Sequence, residues 1–207
     1  MNSSVSTINV YLVDDDAAVV SALSLLLETV GMNVKSFLEP TVFLRQFPNL
    51  TPGCIILDIR MPQISGLKLQ QRLVESGCNW PIIVISGHGD IEACRKAFRI
   101  GAIDFLSKPI DEQDLSDAVQ KGHLQLAQTQ AEAAEKVEAQ ALLDQLTARE
   151  KEVLDLITRG FVTREIATSL DLSPRTVESH RAHIVTKLGS NSVVEMARIL
   201  AGGTLHP

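Results

Sequence analysis

Between Ile8 and about Gly122 the chain alternates short β-rich apolar runs with helical patterns: INVYLV then SALSLLLETV, VKSF then TVFLRQF, CIILDI then LKLQQRLV, PIIVIS then IEACRKAF, and AIDFLS then DLSDAV. Strands that alternate with helices point to βα units in a parallel sheet. Because the runs are nearly continuously apolar, helices are expected on both faces of that sheet. The expectation is an α/β domain, a (βα)5 doubly wound parallel sheet, with its chemistry in the loops at the carboxyl ends of the strands.

Past Gly122 the pattern changes. HLQLAQTQAEAAEKVEAQALLDQ is rich in good helix formers and contains no Pro or Gly. Leu124, Ala127, Ala131, Ala134 and Ala141 recur at three- and four-residue steps, interrupted by Glu138. The segment reads either as a solvated linker helix or as a weakly dimerising one. A compact helical unit follows. Thr147 and Glu150 form a capping box ahead of EVLDLI, and Gly160 ends that helix. A short helix is expected from about Arg164 to Leu170. Ser173 as N-cap and Pro174 at the first helical position open the next, which reaches Leu188 before Gly189. Ser192 and Glu195 cap a last helix ending at Leu200. Four helices with short connections make a second, all-α domain.

With 45% apolar residues the chain can build cores, and no apolar stretch approaches the ~18 residues needed to cross a bilayer. MNSSVSTINV lacks the basic region and long apolar segment of a secretory signal, and Val5, Ile8 and Val10 resemble the start of a strand, so a cytoplasmic protein is expected. Cys54, Cys78 and Cys94 are too scattered for a disulfide scaffold or a structural zinc site and read as packing residues. The net charge of −6 argues weakly against nucleic acid, but it divides unevenly: −4 over residues 1–130, −3 over 131–147 and +1 over 148–207. The C-terminal part therefore permits DNA contact without demonstrating it.

Asp14, Asp15 and Asp16 follow the first predicted strand, and Asp58 ends the third. With a central first strand these ends converge, and the carboxylates can either hold a hard cation such as Mg2+ or serve as turn and helix-capping groups. Ser86 ends the fourth strand and Lys108 follows the fifth. A carboxylate nucleophile, a divalent metal, a hydroxyl and an ammonium are together the parts for receiving a phosphoryl group.

The segments VDDD at 13–16, LDIRMPQISG at 57–66, ISGHGD at 85–90 and DFLSKP at 104–109 resemble the CheY-like receiver domain of bacterial two-component response regulators. That resemblance implies a receiver over residues 1–122, followed by a helical linker over 123–145. It makes Asp58 the phosphoacceptor and Asp15 a direct ligand of Mg2+, for which Mn2+ can substitute. Asp14 would help to hold the metal largely through water, and Arg60 would offer its backbone carbonyl. Ser86 would bind phosphoryl oxygens, Lys108 would pair with the phosphoryl group, and Phe105 would be the aromatic that turns inward on activation. A cis peptide is expected before Pro109. Ser86 stands where many relatives carry threonine, keeping the hydroxyl without the methyl. His88, in the adjoining loop, reads as a surface contact.

On a helical wheel of 174–188, Val177, Ile184 and Leu188 share an apolar side, with Glu178, Ser179, Ala182, His183 and Thr186 mainly opposite. Such a helix can enter a major groove or serve as an ordinary surface helix. LTAREKEVLDLITRGFVTREIATSLDLSPRTVESHRAHIVTKLGSNSVVEMARIL at 146–200 resembles the LuxR-type helix-turn-helix, so residues 146–207 are expected to bind DNA and the whole chain is similar to regulators of the FixJ/NarL class. By that resemblance Arg164, Thr176, Arg181 and Lys187 are phosphate-contact candidates, while Glu178, Ser179 and Ala182 sit where bases are read. Glu178 can accept from cytosine N4, orient Arg181 or cap the scaffold.

The function implied is a phosphorylation-activated transcriptional regulator rather than an enzyme. Its partners would be a sensor histidine kinase, double-stranded promoter DNA, a second copy of the chain on phosphorylation and, at the promoter, RNA polymerase. The alternative is constitutive DNA binding, with the receiver acting as a protein-interaction module. A stand-alone magnesium phosphatase lacks any indicated substrate pocket.

Overall fold

A computed structural model describes residues 8–87 and 91–203. Val5 and His88 lie outside them. The order of elements is β1 (Asn9–Val13), α1 (Ala17–Thr29), β2 (Asn33–Phe37), α2 (Pro40–Gln46), β3 (Cys54–Asp58), α3 (Gly66–Glu75), β4 (Ile82–Ser86), α4 (Ile91–Ile100), β5 (Asp104–Ser107), α5 (Glu112–Asp144), α6 (Ala148–Thr158), α7 (Thr163–Leu170), α8 (Pro174–Leu188) and α9 (Val193–Leu200). Two compact units divide between Thr129 and Gln130, within α5.

In the first unit all strand pairs are parallel, in the order β2-β1-β3-β4-β5. One face buries Tyr11, Phe43, Ile55, Leu57, Leu69 and Val84, and the other buries Leu12, Leu27, Ile56, Ile83, Ile85 and Leu115. Burial on both faces explains why CIIL and IIVI are apolar: every residue of β3 and β4 is buried, and only the strand-terminal Asp58 and Ser86 are polar. The edge strands β2 and β5 are more exposed, because each lacks a neighbour on one side. Pairing Val13 with Leu57 and Asp58 with Ile85 brings the carboxyl ends of β1, β3 and β4 together.

Two features of α5 go beyond the sequence expectation. The last receiver helix and the linker run on as one helix, with Gly122 inside it. A Cβ there would come within 3.0 Å of Ile103 Cδ1, 3.1 Å of Cys54 Sγ and 3.2 Å of Pro81 Cβ, so the glycine lets the helix lie close to the sheet. At the other end of α5, Ala139 is buried and Leu142 and Leu143 pack with Leu146, Val153, Leu154 and Ile166 in the core of the second unit. The proposed dimerising stripe, Leu124, Ala127, Ala131, Ala134 and Ala141, is exposed in the single chain.

The second unit gathers α6 to α9 around Val153, Leu154, Ile166, Val177, Ile184, Leu188 and Ile199. Its helix ends follow the local chemistry. Thr147 and Glu150 form the capping box, Ser173 caps α8 with Pro174 in the first turn, and Gly160 and Gly189 take φ of +88° and +72° just past the helices they terminate. The turn between α7 and α8 depends on Asp171, which adopts a left-handed φ of +53°, a conformation aspartate tolerates better than branched residues do.

Candidate phosphoacceptor site and nucleic-acid interface

The three consecutive aspartates take different roles. Asp16 caps α1, its Oδ1 accepting the N–H groups of Ala18 at 2.9 Å and Val19 at 3.4 Å. Asp14 turns inward, is buried, and accepts the Asp16 N–H at 2.9 Å. Asp15 is exposed at the rim, yet it brings a carboxylate oxygen within 4.8 Å of ligand atoms of Asp14 and Asp58. Thus Asp16 takes the capping role, while Asp14, Asp15 and Asp58 form an acidic cluster of a kind consistent with a divalent cation site.

Asp58 is also buried at the end of β3, and its Oδ2 accepts the Arg60 N–H at 2.5 Å. Lys108 bridges the carboxylates, with Nζ 2.7 Å from Asp14 Oδ2 and 2.7 Å from Asp58 Oδ1. Burial pushes the Asp58 pKa up, and the neighbouring Asp14 charge adds to that rise; the Lys108 ammonium and Arg60 N–H oppose it without cancelling it. For Lys108, partial burial works against the charge, but its hydrogen bonds and attraction to Asp14 and Asp58 leave the pKa raised. Three carboxylates against one ammonium leave the pocket negative, and its hard oxygen donors suit a divalent cation.

Ser86 is fully buried at the end of β4, and its carbonyl accepts the Lys108 N–H at 2.6 Å, joining β4 to the loop that carries the lysine. The Lys108–Pro109 peptide is cis. Phe105 lies half-buried on β5 against one sheet-face core. One requirement escaped the sequence reading: Gly66 opens α3 directly over β3, and a Cβ there would stand 2.0 Å from the Asp58 carbonyl oxygen. ISG at 64–66 signals a turn, but only the three-dimensional register reveals the backbone it touches.

In the second unit, α7 and α8 pack together with Arg164, Glu178, Ser179 and Ala182 exposed. Arg181 and Thr176 are half-buried, and the Thr176 hydroxyl lies 2.8 Å from that of Ser173. Two further candidates have partners inside the domain. The Thr163 hydroxyl donates to Glu178 Oε1 at 2.5 Å, and Lys187 Nζ lies 2.6 Å from Glu150 Oε2. Glu150 thus completes the α6 cap and anchors α8. Burial works against its charge, but the Lys187 ammonium and the Thr147 N–H and hydroxyl outweigh that cost and hold its pKa down to about 2.

Residues 10–120 match the response regulator receiver domain, and residues 144–200 match the bacterial regulatory proteins of the luxR family. The chain belongs to the two-component response regulators of the FixJ/NarL class, with a CheY-like receiver joined to a LuxR-type helix-turn-helix output domain. Among its relatives, response regulator protein TmoT of Ectopseudomonas mendocina is 44% identical over 92% of this chain and 86% of its own. Transcriptional regulatory protein FixJ of Bradyrhizobium diazoefficiens is 36% identical over 92% and 93%. The solved structure of response regulator StyR superposes with a TM-score of 0.83 at 35% identity, covering 95% of this chain and 99% of that one. Full-length FixJ from B. japonicum gives 0.61 at 33% identity, covering 95% and 97%.

The chain therefore couples a phosphorylation-linked receiver to a DNA-binding output domain. Membership implies a cognate histidine kinase and a DNA target. No helix among the described residues is long and apolar enough to cross a membrane.

Proposed function

We propose that Asp58 receives a phosphoryl group from the phosphohistidine of a sensor kinase, and that the modified receiver dimerises and directs α8 to paired sites in promoter DNA. A carboxylate oxygen of Asp58 bonds to phosphorus as the phosphorus–nitrogen bond breaks, and the imidazole departs with that electron pair. The observation that carries this reading is the Lys108 ammonium set 2.7 Å from both Asp14 and Asp58. It is positioned to follow negative charge from the carboxylate onto the phosphoryl oxygens.

Asp14, Asp15, Asp58 and the Arg60 carbonyl would hold Mg2+, or Mn2+ in its place. When bound, the ion would reduce repulsion between the carboxylates and the incoming phosphoryl group. The buried Ser86 hydroxyl would donate to a phosphoryl oxygen, drawing the end of β4 inward, and Phe105 would move into the space released. Arg164, Thr176 and Arg181 would contact phosphates, while Glu178, Ser179 and Ala182 face bases. Lys187 would have to part from Glu150 to join them. RNA polymerase would be met at the promoter, in a cytoplasmic setting.

Selection from a random double-stranded DNA library, with Mg2+ and with or without beryllium fluoride, tests this function. A paired motif enriched only with the phosphoryl mimic is expected, and Asp58→Asn should abolish the difference. Equal enrichment in both arms would instead support constitutive binding.

A further inference from the structure

Besides the receiver's acidic pocket, a second group of metal-competent side chains lies wholly within the output domain. Glu150 on α6 and His180 and His183 on α8 each bring a ligand atom within 4.8 Å of the others. The three-residue spacing places both imidazoles on neighbouring turns of one helix face, a spacing that also serves metal ligands in helical bundles.

The two oxygens of Glu150 are used differently. Oε2 accepts the Thr147 N–H at 2.8 Å and the Lys187 ammonium at 2.6 Å. Oε1 faces His183 Nδ1 at 3.6 Å, beyond hydrogen-bond length. Among the described residues, His180 Nδ1 is buried without a hydrogen-bond partner. A carboxylate fixed through one oxygen, with its other oxygen facing the His183 imidazole, has the outer support that orients a metal ligand. His183 is exposed, which gives an ion a path from solvent.

We propose that Glu150, His180 and His183 bind a borderline divalent cation of the Zn2+ class, with remaining coordination positions open to water. Two imidazoles and one carboxylate favour such an ion over Mg2+, which prefers oxygen ligands throughout. The nearby Lys187 ammonium opposes a dication, so binding should be weaker and more readily reversed than in a closed structural zinc site. The ion would tie the first turn of α6 to the middle of α8 and stabilise that helix pair independently of Asp58.

The test is calorimetric titration of metal-freed, full-length protein with Zn2+, in excess Mg2+ to occupy the acidic pocket and at mildly alkaline pH. Thermal melts and Co2+ absorption spectra provide second readouts. Wild type should bind one Zn2+ per chain, rise in Tm on binding, and give Co2+ ligand-field bands. His183→Gln, at an exposed position, should keep the apo fold by circular dichroism but bind at least tenfold more weakly and lose both the Tm rise and the bands. Asp58→Asn should retain all three signals. Zn2+ binding unchanged in His183→Gln, or no Zn2+ binding by wild type, would overturn the proposal.

Discussion

Lys108 Nζ stands 2.7 Å from Asp14 Oδ2 and 2.7 Å from Asp58 Oδ1, so one ammonium is shared by two buried carboxylates from different strand ends. The ion pair is a local structural contact and, in the proposed function, also a reserve of positive charge that phosphorylation of Asp58 would redirect. Lys108→Ala should leave both acids without their cation and destabilise the receiver by about 3 kcal/mol at neutral pH, the scale for breaking a buried pair. Because the Lys108 pKa is raised, the stabilisation is fully present below the ordinary lysine value and is lost as pH rises through the raised one. Urea unfolding followed across neutral and alkaline pH will check this: the gap between wild type and variant should close at the alkaline end.

For Asp58 the raised pKa means that the native state holds the proton more tightly than the unfolded chain does. That contribution is fully present below the ordinary carboxylate pKa and disappears as pH rises through the raised value. Asp58→Asn cannot ionise, so its Tm should exceed that of wild type at neutral pH with divalent ions chelated, while the two converge in acid. Equal melting at neutral pH would contradict a net burial cost at Asp58.

Glu150 has the opposite sign. Its pKa falls from 4.5 to about 2 on folding, so its contribution is present above 4.5 and is lost as pH falls through about 2. Lys187→Ala should remove about 2 kcal/mol, the range for a hydrogen bond to a charged group. Hydrogen exchange at α6 and α8 amides reads this locally: protection should fall in acid for wild type and already be reduced at neutral pH in the variant.

Gly66→Ala should cost about 2 kcal/mol or more, because the added Cβ meets the Asp58 carbonyl, a backbone atom that cannot rotate aside. The displacement would fall beside Asp58, the proposed phosphoacceptor, so the variant should also need more beryllium fluoride for half-maximal response. A titration followed by tryptophan fluorescence, with Trp80 as the single reporter, measures both the response and its midpoint.

On DNA, two classes of contact should separate. Arg164→Ala is expected to weaken binding to all sequences and flatten the salt dependence by about one counterion. Glu178→Ala should relax preference at one base pair by about 1 to 3 kcal/mol, with little change in salt slope. Thr163→Val should share part of that relaxation, since the Thr163 hydroxyl holds the Glu178 carboxylate. Binding measured on a selected site and its single-base variants at several salt concentrations distinguishes these outcomes.

The parallel sheet was legible because β3 and β4 are apolar on both faces, and the output helices because Thr147, Ser173, Pro174, Gly160 and Gly189 mark their ends with local chemistry. The convergence of Asp14 and Asp58 followed from strand order. Contacts between distant positions carried no comparable signal. Glu150 reads in sequence only as a cap, and its second role depends on the crossing of α6 and α8, which brings Lys187 to the same carboxylate. Gly122 resembles a boundary for the same reason: its neighbours Ile103, Cys54 and Pro81 are remote in sequence.

The last turns of α5 have a bearing on how such proteins can be cut and recombined. Ala139, Leu142 and Leu143 belong to the hydrophobic interior shared with Leu146 and Val153, and Glu135 lies 4.0 Å from Arg198. A fragment beginning at Leu146 would carry every proposed DNA-contact residue yet arrive with an open greasy flank, prone to self-association. One beginning near Gln130 would bring its own lid. The natural joint for exchanging output modules therefore lies upstream of the helix-turn-helix motif, and a fusion made at the motif's edge would inherit the address without the housing.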